Sequence, residues 1–132
     1  MTRYLLDTNT ISHLLRGHAA VDRHVAAVPM ASLCTSAVTE GELLYGLARR
    51  PEAVRLRALV MELLKRLDVL PWDRAVAAHY GTLRAELERS GRPLGPLDTM
   101  IAAHALAADA VLVTNDRVFA AAAGLRVEDW TA

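Results

Sequence analysis

Short apolar or β-prone segments alternate along the chain with longer stretches in which apolar residues recur at helical spacing. The short segments predict strands near residues 4–6, 33–35, 68–70, 111–113 and 126–128. The longer stretches predict helices over residues 10–15, 19–28, 36–47, 51–66, 73–89 and 97–108. Strands that alternate with helices favour parallel βαβ units and therefore an α/β fold.

Two of the predicted helices carry clear apolar stripes. After Pro51 the stripe consists of Leu56, Leu59, Val60, Leu63 and Leu64. In the helix over 73–89 it consists of Val76, Tyr80, Leu83 and Leu87. A stripe at this spacing predicts that one face of each helix is buried.

The length of 132 residues is that of one domain, which we expect to span residues 1–132. No apolar run approaches the roughly 20 residues of a membrane span, and no signal-peptide pattern is present. We therefore expect a cytoplasmic protein with no membrane association. The single cysteine, Cys34, suits a reducing compartment and is expected to be a buried strand thiol.

The formal net charge is zero, so overall charge does not indicate nucleic-acid binding. Lys65 is the only lysine, and every other basic residue is an arginine. Arginine matches phosphate geometry and could serve RNA binding, but a biased genomic base composition explains the same preference.

Two aspartates follow buried strands. Asp7 ends the first strand, and Asp116 comes within three residues of the strand over 111–113. Parallel strands have their carboxyl ends at one edge of the sheet, where ligands of α/β folds bind, so these acids are expected on the same side. Helix capping is the structural alternative for both.

Further acids are candidates for the same pocket. Asp98 lies in the first turn of a predicted helix, where the dipole favours a carboxylate for structural reasons alone. Glu40 and Glu42 project roughly 200° apart on their helix, so only one of them can face the pocket. Periodicity does not decide between them.

Converging carboxylates repel one another, and a divalent cation removes that conflict. Ligation by oxygen atoms alone suits Mg²⁺, with Mn²⁺ as a possible substitute, rather than zinc. The five histidines offer no competing metal site, since none shares a face with a second strong ligand.

The order and spacing of several motifs resemble those of the PIN-domain ribonucleases, specifically the VapC-type toxins of toxin–antitoxin pairs. The matching segments are Leu6-Asp7-Thr8-Asn9, Glu42-Leu43-Leu44-Tyr45-Gly46, Gly91-Arg92-Pro93, Asp98-Thr99-Met100-Ile101-Ala102, Thr114-Asn115-Asp116 and residues 124–130. The resemblance implies a PIN-like three-layer fold with a short central parallel sheet flanked by helices. The family's four acids fall on Asp7, Glu42, Asp98 and Asp116, which favours Glu42 over Glu40.

The same resemblance implies an Mg²⁺-dependent endoribonuclease that cleaves structured RNA, often tRNA, and leaves a 3′-hydroxyl. Asp7, Asp98 and Asp116 are then the expected metal ligands, with Glu42 as a further catalytic residue. Supporting roles fall on Thr8, Asn9 and Thr114. The arginines expected to contact RNA are Arg84, Arg89, Arg92 and Arg117, although the segment after Asp116 is otherwise alanine-rich, unlike that of relatives.

The family also implies a cognate antitoxin as partner, and a homodimer. A role confined to binding that antitoxin and repressing the operon, without catalysis, is one alternative. The apolar pairs Leu43/Leu47 and Leu56/Leu63 could form the groove for it, or they could simply be core. A receiver-type phosphoacceptor domain is a weaker alternative, because paired acids after the first strand and a late lysine are lacking.

Overall fold

Five parallel strands form the centre of the fold in a computed structural model that describes residues 1–132. They are β1 (Tyr4–Leu6), β2 (Leu33–Ser36), β3 (Asp68–Leu70), β4 (Val111–Val113) and β5 (Val127–Glu128). Their order is β3-β2-β1-β4-β5, so that β1 lies in the middle between β2 and β4. The predicted parallel α/β architecture is confirmed. The strand order reverses between β1 and β4, which is where α/β sheets form their binding crevice.

Six α-helices flank the sheet: α1 (Thr8–Leu15), α2 (Ala19–Ala26), α3 (Ala37–Ala48), α4 (Val54–Arg66), α5 (Arg74–Arg89) and α6 (Pro96–Ala107). Two 3-10 turns, Met30–Ser32 and Arg117–Ala121, complete the chain. The helix α1 begins two residues earlier than predicted because Asp7 caps it. The helix α4 begins later, at Val54, because residues after Pro51 form a turn. None of these helices combines the length and the apolar character that crossing a membrane would require.

The core has two parts, one on each face of the sheet. Leu5 and Leu112 pack with α5 and α6 on one face, whereas Leu6 and Val113 pack with α1, α2 and Trp130 on the other. Successive residues of a strand point to opposite faces, so the three-residue strands β1 and β4 each contribute to both parts. This gives the sheet a helical layer on each side.

The predicted apolar stripe of α4 is only partly buried, with Leu63 and Leu64 half-buried. Only Val60 is fully buried, while Leu56 and Leu59 are 37% and 48% exposed. The reason is the position of α4, which packs against α3 and the edge strand β3. A helix at the edge of the sheet buries a narrower line of residues than one packed over its centre.

Buried polar residues in the core are held by local partners. Cys34 is fully buried in β2, which confirms the predicted buried strand thiol, and burial raises the pKa of this thiol to about 11. His104 of α6 is also buried, with its Nδ1 atom 2.7 Å from Ser36 Oγ. Burial lowers the pKa of His104, and the charge of Asp73 opposes that effect only in part.

The lowered pKa of His104 makes the stability of the fold pH-dependent. The unfolded chain takes up a proton near the ordinary histidine pKa of about 6.5, whereas the native chain resists it until lower pH. We expect the free energy of unfolding to fall as pH drops below about 6.5, with a slope of at most about 1.4 kcal/mol per pH unit from this residue.

Denaturant unfolding between pH 8 and 5 measures that slope. His104→Gln should remove this contribution, while His79→Gln, which changes an exposed histidine of α5, should retain it. Equal slopes in wild type and His104→Gln would contradict the assignment.

Candidate active site

Four carboxylates line one open cleft of about 120 Å³ at the carboxyl ends of the central strands. They belong to Asp7, Glu42, Asp98 and Asp116. Thr8, Asn9, Ile101 and Phe119 complete the lining. Residues that are far apart along the chain are thus gathered at the point where the strand order reverses.

Asp7 is fixed between β1 and β4. Its Oδ1 atom accepts a hydrogen bond from the Thr10 N–H at 2.8 Å, which makes it the N-cap of α1. Its own N–H donates to the Val113 carbonyl at 3.1 Å, and that carbonyl also accepts from Thr10 Oγ1 at 2.9 Å. With only 4% of its surface exposed, Asp7 has little freedom to move away from the cleft.

Glu42 reaches the cleft from α3. Thr8 Oγ1 donates to Glu42 Oε1 at 2.7 Å and lies 3.3 Å from Thr39 Oγ1. Glu40 is not among the lining residues, so the geometry places Glu42 rather than Glu40 in the cleft. The sequence analysis did not identify Thr39 as a site residue, although its position three residues before Glu42 puts it on the same helical face.

Asp98 and Asp116 reach the cleft from elements later in the chain. Asp98 lies in the first turn of α6 and is half-buried. Asp116 caps the turn after β4, where its Oδ1 accepts from the Val118 N–H at 3.0 Å. The Asp116 N–H donates to Thr114 Oγ1 at 3.0 Å, so buried Thr114 helps to hold this loop.

The pKa of Asp98 is raised by its surroundings in the cleft. Burial raises the pKa of Asp98 first, and the negative charges of Asp116, Glu42 and Asp7 raise it further. No arginine, lysine or histidine forms an ion pair with any of the four acids; the four ion pairs of the chain lie elsewhere. The cleft therefore holds negative charge that the protein itself does not neutralise.

The chemistry of this donor set fits a hard divalent cation. Carboxylate, hydroxyl and amide oxygens are present, and neither cysteine nor histidine lines the cleft. In this structure no group of three or more His, Cys, Asp or Glu side chains has the spacing of a complete metal site.

The four arginines predicted to contact RNA are all exposed, and none of them lines the acidic cleft. Arg84 bonds to Glu88 Oε1 and Tyr80 Oη at 3.1 Å each along α5. Arg92 lines a separate cavity beside Ala121 and Ala123. Arg117 directly follows Asp116, and Arg89 ends α5.

Comparison with known proteins gives matches along almost the whole chain. The PIN domain family model matches residues 4–125. The tRNA(fMet)-specific endonuclease VapC of Shigella flexneri is 40% identical over 132 residues, which cover 99% of this chain and 100% of the relative. Ribonuclease VapC2 of Haemophilus influenzae is 33% identical over 131 residues, covering 98% and 99% respectively.

The fold matches solved structures equally well. The crystal structure of DNA-bound VapBC from Salmonella typhimurium superposes with a TM-score of 0.91 at 38% identity, covering 98% of this chain and 99% of the other. The match extends through the segments that carry the four acids. The chain therefore belongs to the PIN domain family and, within it, to the VapC ribonuclease toxins.

Proposed function

We propose that this ribonuclease is Mg²⁺-dependent and cleaves tRNA, with the initiator tRNA as the first substrate to test. The convergence of four carboxylates without a cationic partner carries the metal requirement. The substrate is supported by the relative named as specific for tRNA(fMet), which is 40% identical over the full length. Single-stranded loops are the expected target, because their bases can be splayed out and read.

The four acids have two kinds of role in the proposed mechanism. Asp7, Asp98 and Asp116 would hold Mg²⁺, for which Mn²⁺ could substitute. The ion, when bound, supplies positive charge to the phosphate and makes water a better nucleophile. Glu42, oriented by Thr8, accepts the proton of the attacking water. Water attacks the scissile phosphorus, the bond from phosphorus to the 3′-oxygen breaks, and the 3′-oxygen takes a proton from solvent, so the products carry a 3′-hydroxyl and a 5′-phosphate.

The remaining site residues either position an acid or are available to the substrate. Thr114 holds the Asp116 loop through its hydroxyl. Asn9 is exposed in the cleft and is available to the substrate or to bound water. The surface arginines Arg84, Arg89, Arg92 and Arg117 stay candidates for weak phosphate contacts outside the cleft.

We also infer a protein partner and a cellular site. The Salmonella typhimurium relative was solved as a VapBC complex on DNA, which supports a cognate antitoxin for this chain. We propose that the toxin acts in the cytoplasm, where tRNA is found, as a homodimer in which residues 1–132 form one PIN unit.

Removal of a single carboxylate tests the proposed site. We expect Asp7→Asn and Asp98→Asn each to lower the single-turnover rate of initiator tRNA cleavage at least roughly a hundredfold, since each removes a carboxylate that would hold the cation at the phosphate. Asparagine still caps a helix, so Asp7→Asn should fold. Asp22→Asn, an exposed acid of α2, is the matched control. A wild-type rate in either site variant would exclude that acid from the catalytic site.

Metal binding should be visible in the melting temperature. A ligand that binds only the native state stabilises it by about 2.7 kcal/mol at a hundredfold excess over its dissociation constant. We expect Mg²⁺ added to chelator-treated protein to raise the melting temperature, and to do so much less in Asp98→Asn. Scanning calorimetry of both proteins makes the comparison, and an equal rise in both would exclude a site that includes Asp98.

Without metal, the same substitution should have the opposite effect on stability. Burial, followed by the negative charges of the three other acids, raises the pKa of Asp98 in the native state, so its charged form destabilises the folded chain above that pKa. At pH 7 in chelator we therefore expect Asp98→Asn to melt at a higher temperature than wild type. A lower melting temperature in chelator would show that the acids do not repel one another significantly.

A further inference from the structure

One hydrogen bond in the structure joins two fully buried side chains. Ser36, the N-cap of α3, and His104 of α6 are 0% and 1% exposed, and His104 Nδ1 lies 2.7 Å from Ser36 Oγ. The other hydrogen bonds between side chains are exposed or only partly buried. This bond therefore links, inside the core, the two helices that carry Glu42 and Asp98.

The direction of the bond follows from the other contacts of Ser36. Its Oγ atom accepts a hydrogen bond from the Val38 N–H at 3.0 Å, and no acceptor other than His104 lies within bonding distance of its hydroxyl. The Ser36 hydroxyl therefore donates to Nδ1, and the neutral imidazole carries its hydrogen on Nε2. Burial lowers the pKa of His104 and so favours the neutral ring, while the charge of Asp73 and a hydrogen bond to the Pro71 carbonyl oppose that shift. This carbonyl is the partner that remains for Nε2.

An aromatic neighbour also holds the imidazole ring. The rings of Trp72 and His104 meet edge to face, with centroids 5.8 Å apart. Trp72 makes the same kind of contact with Tyr80 of α5 at 5.9 Å. The ring thus has a fixed plane as well as a fixed tautomer, so Nδ1 accepts the bond from Ser36 in one direction only.

Most of the side chains that α6 buries are small. Ala102, Ala103 and Ala105 are fully buried and lie on different sides of the helix, and Ile101 is the only large apolar side chain that α6 buries fully. Short side chains interdigitate little with their neighbours, so they resist rotation and axial shift of a helix less than large ones do. The directional bond of His104 supplies the constraint that the alanines do not.

Each end of this bond is six residues from an acid of the cleft. Ser36 precedes Glu42 by six positions, and His104 follows Asp98 by six. Six residues of an α-helix span only about 9 Å, so each helix transmits a displacement at the bond to its acid. A catalytic set tolerates displacements of no more than about 0.5 Å.

We propose that His104 is a positioning residue of the ribonuclease site. Through its hydrogen bond to Ser36 it sets the position of α6 against α3, and thereby the separation of Asp98 from Glu42. It touches neither substrate nor cation and acts only through the two helices. The effect on Mg²⁺ affinity rests on the proposed metal dependence, whereas the effect on the helices does not.

Two substitutions of His104 separate the hydrogen bond from the volume of the ring. In His104→Asn the amide oxygen takes the place of Nδ1 and accepts from Ser36, whereas His104→Leu fills a similar volume without an acceptor. Crystal structures of both variants without metal, superposed on the five strands, measure the position of α6. We expect the Cα atom of Asp98 to move against that of Glu42 by more than about 0.5 Å in His104→Leu and by less in His104→Asn. Ser36→Ala, which removes the donor and keeps the ring, should produce the same displacement as His104→Leu.

Calorimetric titration with Mg²⁺, at a temperature at which every variant is folded, measures the consequence for the site. We expect the dissociation constant to rise about tenfold or more in His104→Leu and Ser36→Ala, and to stay close to the wild-type value in His104→Asn. The single-turnover rate of initiator tRNA cleavage should follow the same order.

Val76→Ala is the matched control for stability. Val76 of α5 is buried and lines the same cavity of about 180 Å³ as His104. Its truncation should lower the melting temperature by loss of packing but leave the Mg²⁺ affinity unchanged.

An unmoved α6 in both His104→Leu and Ser36→Ala would overturn the proposal. A displaced α6 with wild-type Mg²⁺ affinity and cleavage rate would overturn it as well, because His104 would then serve the core alone. Equal losses of affinity in His104→Asn, His104→Leu and Val76→Ala would attribute the effect to lowered stability. A wild-type protein that binds no Mg²⁺ would instead refute the proposed metal dependence, and the displacement of α6 would still decide the positioning role.

Discussion

The pairing of β1 with β4 brings Asp7 and Asp116 to the same cleft. The register of that pairing runs to the last residue of each strand, Leu6 against Val113. The Val113 carbonyl then accepts hydrogen bonds from both Asp7 N–H and Thr10 Oγ1, so the end of β4 is tied to the start of α1. These bonds fix the backbone from which Asp7 enters the cleft, and no side chain of the protein forms an ion pair with the acids there.

The fold was largely predictable from sequence, because β1 and β4 are short apolar runs at the sheet centre with few alternatives. The position of Asp7 followed for the same reason, since a strand end in a parallel sheet has only one edge to face. The choice between Glu40 and Glu42 could not be made from periodicity, because both lie on the same short helix and face different directions. The resemblance to a family favoured Glu42, and the geometry shows Thr8 bonded to it.

Other features depend on tertiary neighbours that a sequence does not reveal. Leu56 and Leu59 have helical spacing typical of a core, yet α4 packs at the edge of the sheet and leaves them partly exposed. Arg16 and Arg49 are 33 positions apart in the numbering and gave no motif, but the ends of α1 and α3 bring both to one groove beside the acidic cleft. A surface that is assembled from helix ends has no periodic signature.

A net charge of zero is compatible with a polyanionic substrate only because the charges are segregated. Four acids without cationic partners and three arginines without acidic partners (Arg16, Arg49 and Arg50) lie in adjoining cavities that share Thr8 and Glu42. All three arginines are exposed, where an ion pair contributes little to stability, so keeping them apart from the acids costs the free chain little. The segregation leaves two adjoining regions of opposite charge that the chain itself does not neutralise.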